Sequence, residues 1–274
     1  MTTTESFTNI EIERFDLADA PGVFALVRLN RPDDMNPLDF QTAREMRAAF
    51  DALDLDPEVR TIGITGNGRA FSAGGDMKGY VKMQHDIPYF TEFLTHMHEM
   101  FLQMGRYDTP VIALVNGVAV AGGFETVIFS DVAIMAESAR IGDAHLPYGM
   151  MGGGGVLTWL PRLIGPSRAR ELIFSGRLLS SAEALEWGLV SKVVPDDELI
   201  AAGIEFATSV AKKSPLAIKN AKRVMNSSLY DGHSVVSSIR FEREATVLYC
   251  GTSEDAQEGL AAFNEKRSPR YTGR

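Results

Sequence analysis

A layered α/β core followed by a run of helices is the fold class this sequence predicts, on three observations. Short apolar runs, Val111 to Val115 and Val132 to Ala136, have the length and continuity of buried strands. Glycine-bearing turns follow them, and apolar helical segments come next, so a β, β, α unit recurs. From Pro195 onward the pattern is helix after helix.

In chain order, Asn9 to Asp16 and Val23 to Asn30 are strands joined at Ala20-Pro21-Gly22, a turn signal. Leu38 to Leu53 places Leu38, Ala43, Met46, Ala49, Phe50 and Leu53 near helical spacing, with Asp39 and Glu45 toward its start. Thr61 to Thr65 is a short strand, and Gly66 to Gly79 a glycine-rich loop. Pro88 to Met104 is a helix with Pro88 in its first turn. Strand Val111–Val115, a helix from about Gly123, strand Val132–Ala136 and a short strand at Arg140–Gly142 follow. Helices are expected over Gly152–Leu163, Ser167–Ser175 and Ser181–Trp187, then a strand over Leu189–Val194. Helices over Asp196–Lys212, Pro215–Ser228, His233–Tyr249 and Ser253–Glu265 complete the chain. The last sets Leu260, Ala261 and Phe263 on an apolar face. This divides the chain into a core, residues 1–195, and a helical region, 196–274, which serves docking or assembly or else packs on its own core.

Composition narrows the function classes. The 274 residues are 45% hydrophobic and 23% charged, ordinary for a globular protein with a sizeable core. A net charge of −9 argues against a nucleic-acid surface, which needs clustered Lys and Arg. The one cysteine, Cys250, has no intrachain partner and fits a reducing compartment. The opening MTTTESFTNIEIERF lacks the basic flank and apolar core of a signal peptide. No run approaches the roughly 18 apolar residues of a membrane helix. A cytoplasmic protein with no membrane partner is expected.

Four constellations carry the chemistry. Phe71-Ser72-Ala73-Gly74-Gly75-Asp76 taken alone reads as a flexible turn after a strand, and its glycines would also let backbone N–H groups approach a ligand. Without a Gly-Lys-Ser/Thr sequence it is no P-loop. Gly122-Gly123 sits at a helix start, where free N–H groups and the dipole favour negative charge. Two such donors from separate loops would form an oxyanion hole. Glu125 lies just inside that helix. It serves either the helix dipole or, if buried among Thr126-Val127-Ile128-Phe129, a general acid or base with a raised pKa. His145 suits proton transfer near neutrality, or a structural bond to an acid such as Asp143. His96 and His98, two residues apart, do not share a helix face, and no metal site is suggested.

Together these residues resemble the crotonase superfamily of enoyl-CoA hydratases and isomerases. The match runs through Leu29-Asn30-Arg31-Pro32, Asn36-Pro37-Leu38, Ala70 to Asp76, Pro110 to Ala113, Asn116-Gly117, Ala121-Gly122-Gly123 and Asp131. It continues through Leu163-Ile164-Gly165, Ala182-Glu183-Ala184, Gly188-Leu189-Val190 and Phe263 with Glu265-Lys266-Arg267. The resemblance implies a spiral of ββα units with a C-terminal helical trimerisation region, and a homotrimer or hexamer. It places the oxyanion hole on the N–H groups of Ala73 and Gly122 and the first catalytic glutamate on Glu125. The position of the second glutamate falls on His145, whose reference pKa is about 6.5 rather than about 4.3. Met35, Gly75, Asp76, Met77 and Lys266 fall at substrate-binding positions. The substrate would be an acyl-CoA, with coenzyme A part of the substrate and no other cofactor. A hydratase is the leading expectation, and a double-bond isomerase is an alternative. A CoA-free carbon–carbon bond hydrolase like the 6-oxocamphor hydrolase group, using His145, is favoured by Asp33-Asp34 and the Asp143-Ala144-His145 segment. A non-catalytic assembly protein ranks last.

Overall fold

The computed structural model describes residues 7–274. β1 (Ile10–Asp16) and β2 (Val23–Leu29) pair antiparallel, with Ile10 opposite Leu29 and Asp16 opposite Val23. Gly22 makes the turn at φ +85°, where an added Cβ would lie 2.4 Å from the Glu58 carbonyl oxygen. α1 (Phe40–Asp54) starts at Asp39, whose carboxylate accepts the Thr42 N–H at 2.8 Å. Its Ala43, Met46, Ala49, Phe50 and Leu53 form the buried stripe that the periodicity predicts. Burying one side chain the size of Phe50 stabilises by about 1.5–3 kcal/mol, so this stripe fixes the helix more firmly than its cap does.

Three strand pairs then divide themselves between two sheets. β3 (Val59–Gly66) is followed by β4 (Ala70–Ser72), then α2 (Met77–Met83) and α3 (Ile87–Met104). β5 (Val111–Val115) is followed by β6 (Val118–Val120) and α4 (Gly122–Phe129). β7 (Val132–Ala136) is followed by β8 (Arg140–Gly142), and α5 (Val156–Ile164) and α6 (Pro166–Ser175) come next. β9 (Leu179–Ser180), α7 (Ser181–Glu186) and β10 (Lys192–Val194) close the spiral. The larger sheet runs β1-β2-β3-β5-β7-β10 and the smaller β4-β6-β8-β9. Beyond the β1–β2 hairpin the larger sheet is parallel. The smaller is parallel except for β9. Every residue of β5 is fully buried, which is why that strand is an unbroken apolar run.

The differences from the sequence reading are local. Residues 66–79 hold a strand and the start of α2 as well as a loop, and β6 and β9 are additional strands. Strands of two or three residues are too short to show a period. The helix expected from Gly152 begins at Val156, because the preceding glycines form an irregular segment that ends with Gly155 at φ +113° and has a different task, described below. The last strand is shorter than expected, Lys192–Val194.

α8 (Leu199–Ala211) lies against the larger sheet, where a Cβ on Gly203 would meet Leu114 Cδ1 at 2.6 Å. This helix is therefore a layer of the core. α9 (Pro215–Leu229) is pinned to it by Lys222, whose ammonium donates to Asp131 at 2.6 Å and to the carbonyls of Met104 and Thr109. α10 (Val235–Thr252) buries no residue, and α11 (Glu254–Glu265) leaves Leu260 and Phe263 exposed.

Lys222→Ala removes a buried ammonium that three acceptors share, and it leaves Asp131 partly open to water. The expected loss is about 1.5–3 kcal/mol, measured by urea unfolding, against under 1 kcal/mol for the exposed Lys192→Ala.

Candidate active site

Two loops meet where β4 and β6 end. After β4, Ser72 Oγ donates to the Asn36 carbonyl at 2.7 Å and accepts the Gly74 N–H at 3.1 Å. The Ala73 N–H donates to the Met35 carbonyl at 2.9 Å, and the Gly74 carbonyl accepts the Leu38 N–H at 2.8 Å. These bonds stitch the loop to residues 35–38. Among the described residues no acceptor takes the Gly75 N–H. Gly75 has no space for a side chain, since a Cβ would lie 2.3 Å from the Tyr80 ring. After β6, Ala121 adopts φ +50°, and Gly122 follows as the first residue of α4, where an N–H has no helical carbonyl to bond. A Cβ on Gly74 would sit 3.2 Å from the Gly122 nitrogen, so the two loops are in contact.

This geometry corrects one expectation. The N–H of Ala73 is already engaged by Met35, so Ala73 is not a free donor. The free N–H beside Gly122 belongs to Gly75, two residues on. Met35 contributes a carbonyl to the loop and does not line the cavity that Gly75 and Gly122 share. Asp76 caps α2 by accepting the Lys78 N–H, Met77 is exposed at the start of that helix, and Lys266 is exposed at the end of α11.

Glu125 and His145 do come together. Both line a cavity of about 20 Å3, room for about one water molecule, with Gly75 and Gly122 in the same wall. Leu38, Tyr80, Phe93, Leu94 and Met97 give the rest an apolar surface. A more open groove of about 590 Å3 between α1, α2 and α3 holds Asp76 but neither Glu125 nor His145, so the chemistry belongs to the smaller space.

Glu125 is 3% exposed, and its Oε1 accepts the N–H groups of Gly154 at 2.8 Å and Val156 at 3.2 Å. Burial pushes its carboxyl up to about 7. The Val156 and Gly154 donors and His145 oppose that rise, while the charge of Asp143 adds to it. A Cβ on Gly154 would lie 2.2 Å from Glu125 Oε2, which explains the glycine run before α5. His145 Nδ1 lies 2.7 Å from Asp143 Oδ1, and both side chains are buried. Burial would lower the imidazole pKa. The hydrogen bond and charge of Asp143, with the charge of Glu125, outweigh it and raise the pKa above the ordinary value. Tyr80 carries no sequence signal that marks it out. Its hydroxyl is pushed up to about 12 by burial and by Glu125, so it stands neutral beside the site. Among the described residues no three metal-ligating side chains converge.

The arrangement offers two N–H groups unpaired among the described residues and suited to a developing oxyanion, a carboxyl near its midpoint at neutrality, and an imidazole backed by a carboxylate.

The family model for enoyl-CoA hydratase/isomerase matches residues 20–274. A protein named probable enoyl-CoA hydratase from Mycobacterium tuberculosis is 36% identical over 249 residues, covering 91% of this chain and 94% of the relative. A carnitinyl-CoA dehydratase from Salmonella typhi is 35% identical over 254 residues, 90% of this chain and 94% of the relative. The crystal structure of an enoyl-CoA hydratase from Bacillus anthracis superposes with a TM-score of 0.89 at 32% identity, over 97% of this chain and 100% of that one.

A carboxyl with a folded pKa raised from 4.5 to about 7 favours folding below its unfolded pKa. That contribution is lost as pH rises through 7. Glu125→Gln keeps the Oε1 acceptor and removes the charge. Its melting temperature is therefore expected to exceed that of the wild type at pH 8.5, by the equivalent of up to about 3 kcal/mol. The gap should close by about pH 4, as thermal scans at both pH values will show.

Proposed function

The chain belongs to the enoyl-CoA hydratase/isomerase family, and from that premise we propose that it adds water across the double bond of a 2-enoyl-CoA. The observation that carries this reading is the water-sized cavity with Glu125 and His145 both in its wall, beside two unpaired backbone N–H groups. The Gly75 and Gly122 N–H groups hold the thioester oxygen. Ionised Glu125 takes a proton from water as the water oxygen bonds to Cβ. The π pair moves toward the thioester carbonyl, and the imidazolium of His145 then delivers a proton to Cα. The proton gained by Glu125 returns to His145 through solvent, so the enzyme is restored. Coenzyme A enters only as part of the substrate.

Gly75 is the substrate-binding position nearest this chemistry. Asp76 and Met77 open α2, whose Tyr80 walls the cavity, and Met35 holds the loop that presents Gly75. Lys266 carries an exposed cation suited to a CoA phosphate on a neighbouring protomer. That neighbour belongs to a homotrimer or a pair of trimers, a reading supported by the exposed Val236, Ile239, Leu260 and Phe263 of α10 and α11. A cytoplasmic setting accompanies it. Among the described residues no helix is long and apolar enough to cross a membrane.

One observation favours a second reading. The buried Asp143–His145 pair also suits a carbon–carbon bond hydrolase acting on a diketone without CoA. Titration calorimetry separates the two, since micromolar binding of an acyl-CoA counts against a CoA-free substrate.

Crotonyl-CoA and longer enoyl-CoAs are expected to lose their conjugated absorbance on adding enzyme, and Glu125→Gln to lower kcat about 10²- to 10⁴-fold. No loss across a broad enoyl-CoA panel would overturn the hydratase reading. Activity needs Glu125 ionised and His145 protonated. The hydration rate should therefore climb as pH rises through about 7 and fall again above the raised His145 pKa, a bell whose limbs belong to the pair. Sedimentation is expected to give the mass of a trimer or hexamer, and Ile239→Glu to shift it toward smaller species.

A further inference from the structure

We propose that Asp143 is a positioning residue for this reaction. It fixes the His145 ring so that Nδ1 is committed to the carboxylate and Nε2 is left as the proton-transferring atom toward the cavity. The proposal rests on the hydratase reading for its kinetic consequences and on geometry alone for its structural ones.

The geometry has three parts. First, Asp143 is 1% exposed, and its Oδ1 lies 2.7 Å from His145 Nδ1. A buried carboxylate accepts only, so neutral His145 must carry its proton on Nδ1. Second, a side chain two residues away reaches the ring because Ala144 between them adopts φ +55°, a conformation that costs a non-glycine residue free energy. Oδ2 of the same carboxylate faces the His145 backbone N–H at 3.4 Å, closing the turn. Third, the cover on this pair is a bare glycine. A Cβ on Gly152 would stand 3.1 Å from Asp143 Oδ1 and 3.4 Å from His145 Nδ1, tight contacts that a side chain would strain.

Asp143 also touches the oxyanion side of the site. Its carbonyl accepts the Ala121 N–H at 3.0 Å, and Ala121 is the residue whose positive φ turns the chain into Gly122. One residue thus orients the proton donor through its side chain and the oxyanion-holding turn through its backbone. Only the side-chain role is open to substitution. The ionisable groups facing His145 are Asp143, from the segment after β8, and Glu125, from α4. Neutral Tyr80 of α2 lines the same cavity, and the segment before α5 presents glycines there.

The test uses the full-length protein and Asp143→Asn, which keeps size and removes charge. In ¹⁵N-histidine spectra of the ligand-free wild type, neutral His145 is expected to show Nδ1 protonated and Nε2 bare. In Asp143→Asn this preference is lost, and the His145 midpoint falls by roughly one pH unit or more. With crotonyl-CoA, kcat is expected to fall about 100-fold or more, with KM within about threefold. The alkaline limb of the pH profile should move down with the midpoint. A structural role alone would not move that limb. In a His145→Gln background, Asp143→Asn should add almost nothing, because it acts through the ring. An unchanged tautomer and midpoint overturn the proposal without reference to substrate. An equal kcat loss in the His145→Gln background overturns it kinetically. A wild type inactive on enoyl-CoAs overturns the hydratase reading instead, and the tautomer and midpoint measured by NMR then decide the positioning role by themselves.

Discussion

Gly123 has no room for a side chain, and the site depends on that. A Cβ there would lie 2.4 Å from the Ser72 carbonyl oxygen, so the first turn of α4 is pressed directly onto the end of β4. β4 and β6 are neighbours in the smaller sheet, and each reaches it by leaving the larger sheet through a tight glycine corner. A Cβ on Gly66 would collide with the Ala70 carbonyl at 2.3 Å, and one on Gly117 with the Arg69 carbonyl at 2.3 Å. Parallel strands that switch sheets in step must bring their following loops together. The two N–H groups of Gly75 and Gly122 are a consequence of that closure. Preorganised donors of this kind stabilise a developing charge without reorganising during the reaction.

The same closure decides the protonation chemistry. Glu125 is carried on the first turn of α4 into a buried space, and desolvation outweighs its two backbone donors. His145 is under the opposite balance, because burial, its largest single influence, is outweighed by Asp143 and Glu125 together. Two groups with ordinary pKa values more than about two units apart are each raised by a different cause, burial for the carboxyl and carboxylate neighbours for the imidazole. Near neutrality the pair can therefore hold an anion and a cation on two sides of one cavity. That is the state water addition needs. Two glutamates would reach it by sharing one proton between like groups, which is a different electrostatic problem.

Much of this was legible in the sequence. The buried strands of the larger sheet are continuous apolar runs, and α1 repeats at helical spacing, because burial on one or both faces writes directly into residue type. Glu125 and His145 stand out as isolated ionisable groups in apolar surroundings. The free N–H of this loop is displaced by two residues from its expected position for a physical reason. Ala73, Gly74 and Gly75 all offer backbone N–H groups, and only the bonds to Met35 and to Ser72 show which are spent. Hydrogen-bond accounting along a loop needs its partners' positions, and Met35 lies on a separate segment of the chain. Gly152 to Gly155 is equally opaque. Its function is to leave space, for Glu125 at Gly154 and for the Asp143–His145 pair at Gly152, and absent atoms leave no period or charge to read.

The apolar walls also bear on how substrate enters. A cavity of about 20 Å3 admits water but no acyl chain, and Tyr80, Phe93, Leu94 and Met97 of α2 and α3 close it. Each thioester requires those two helices, or their side chains, to move aside. Helix α2 is well suited to move, since it has seven residues and buries only Met83. Tyr80 is the exception in its contacts, with its ring against Gly75 and its edge toward Phe90 and Phe93. Displacing that ring opens the space beside Gly75 while leaving Gly122 and Glu125 on α4, which packs on strands of both sheets, and His145 in the segment after β8. The movable part of that wall is α2 with its Tyr80 ring, because α3 is anchored in the core by the buried Phe93, Met97, Met100, Phe101 and Met104. Movement of α2 would widen the cavity without disturbing the turn of α4 that carries Gly122 and Glu125.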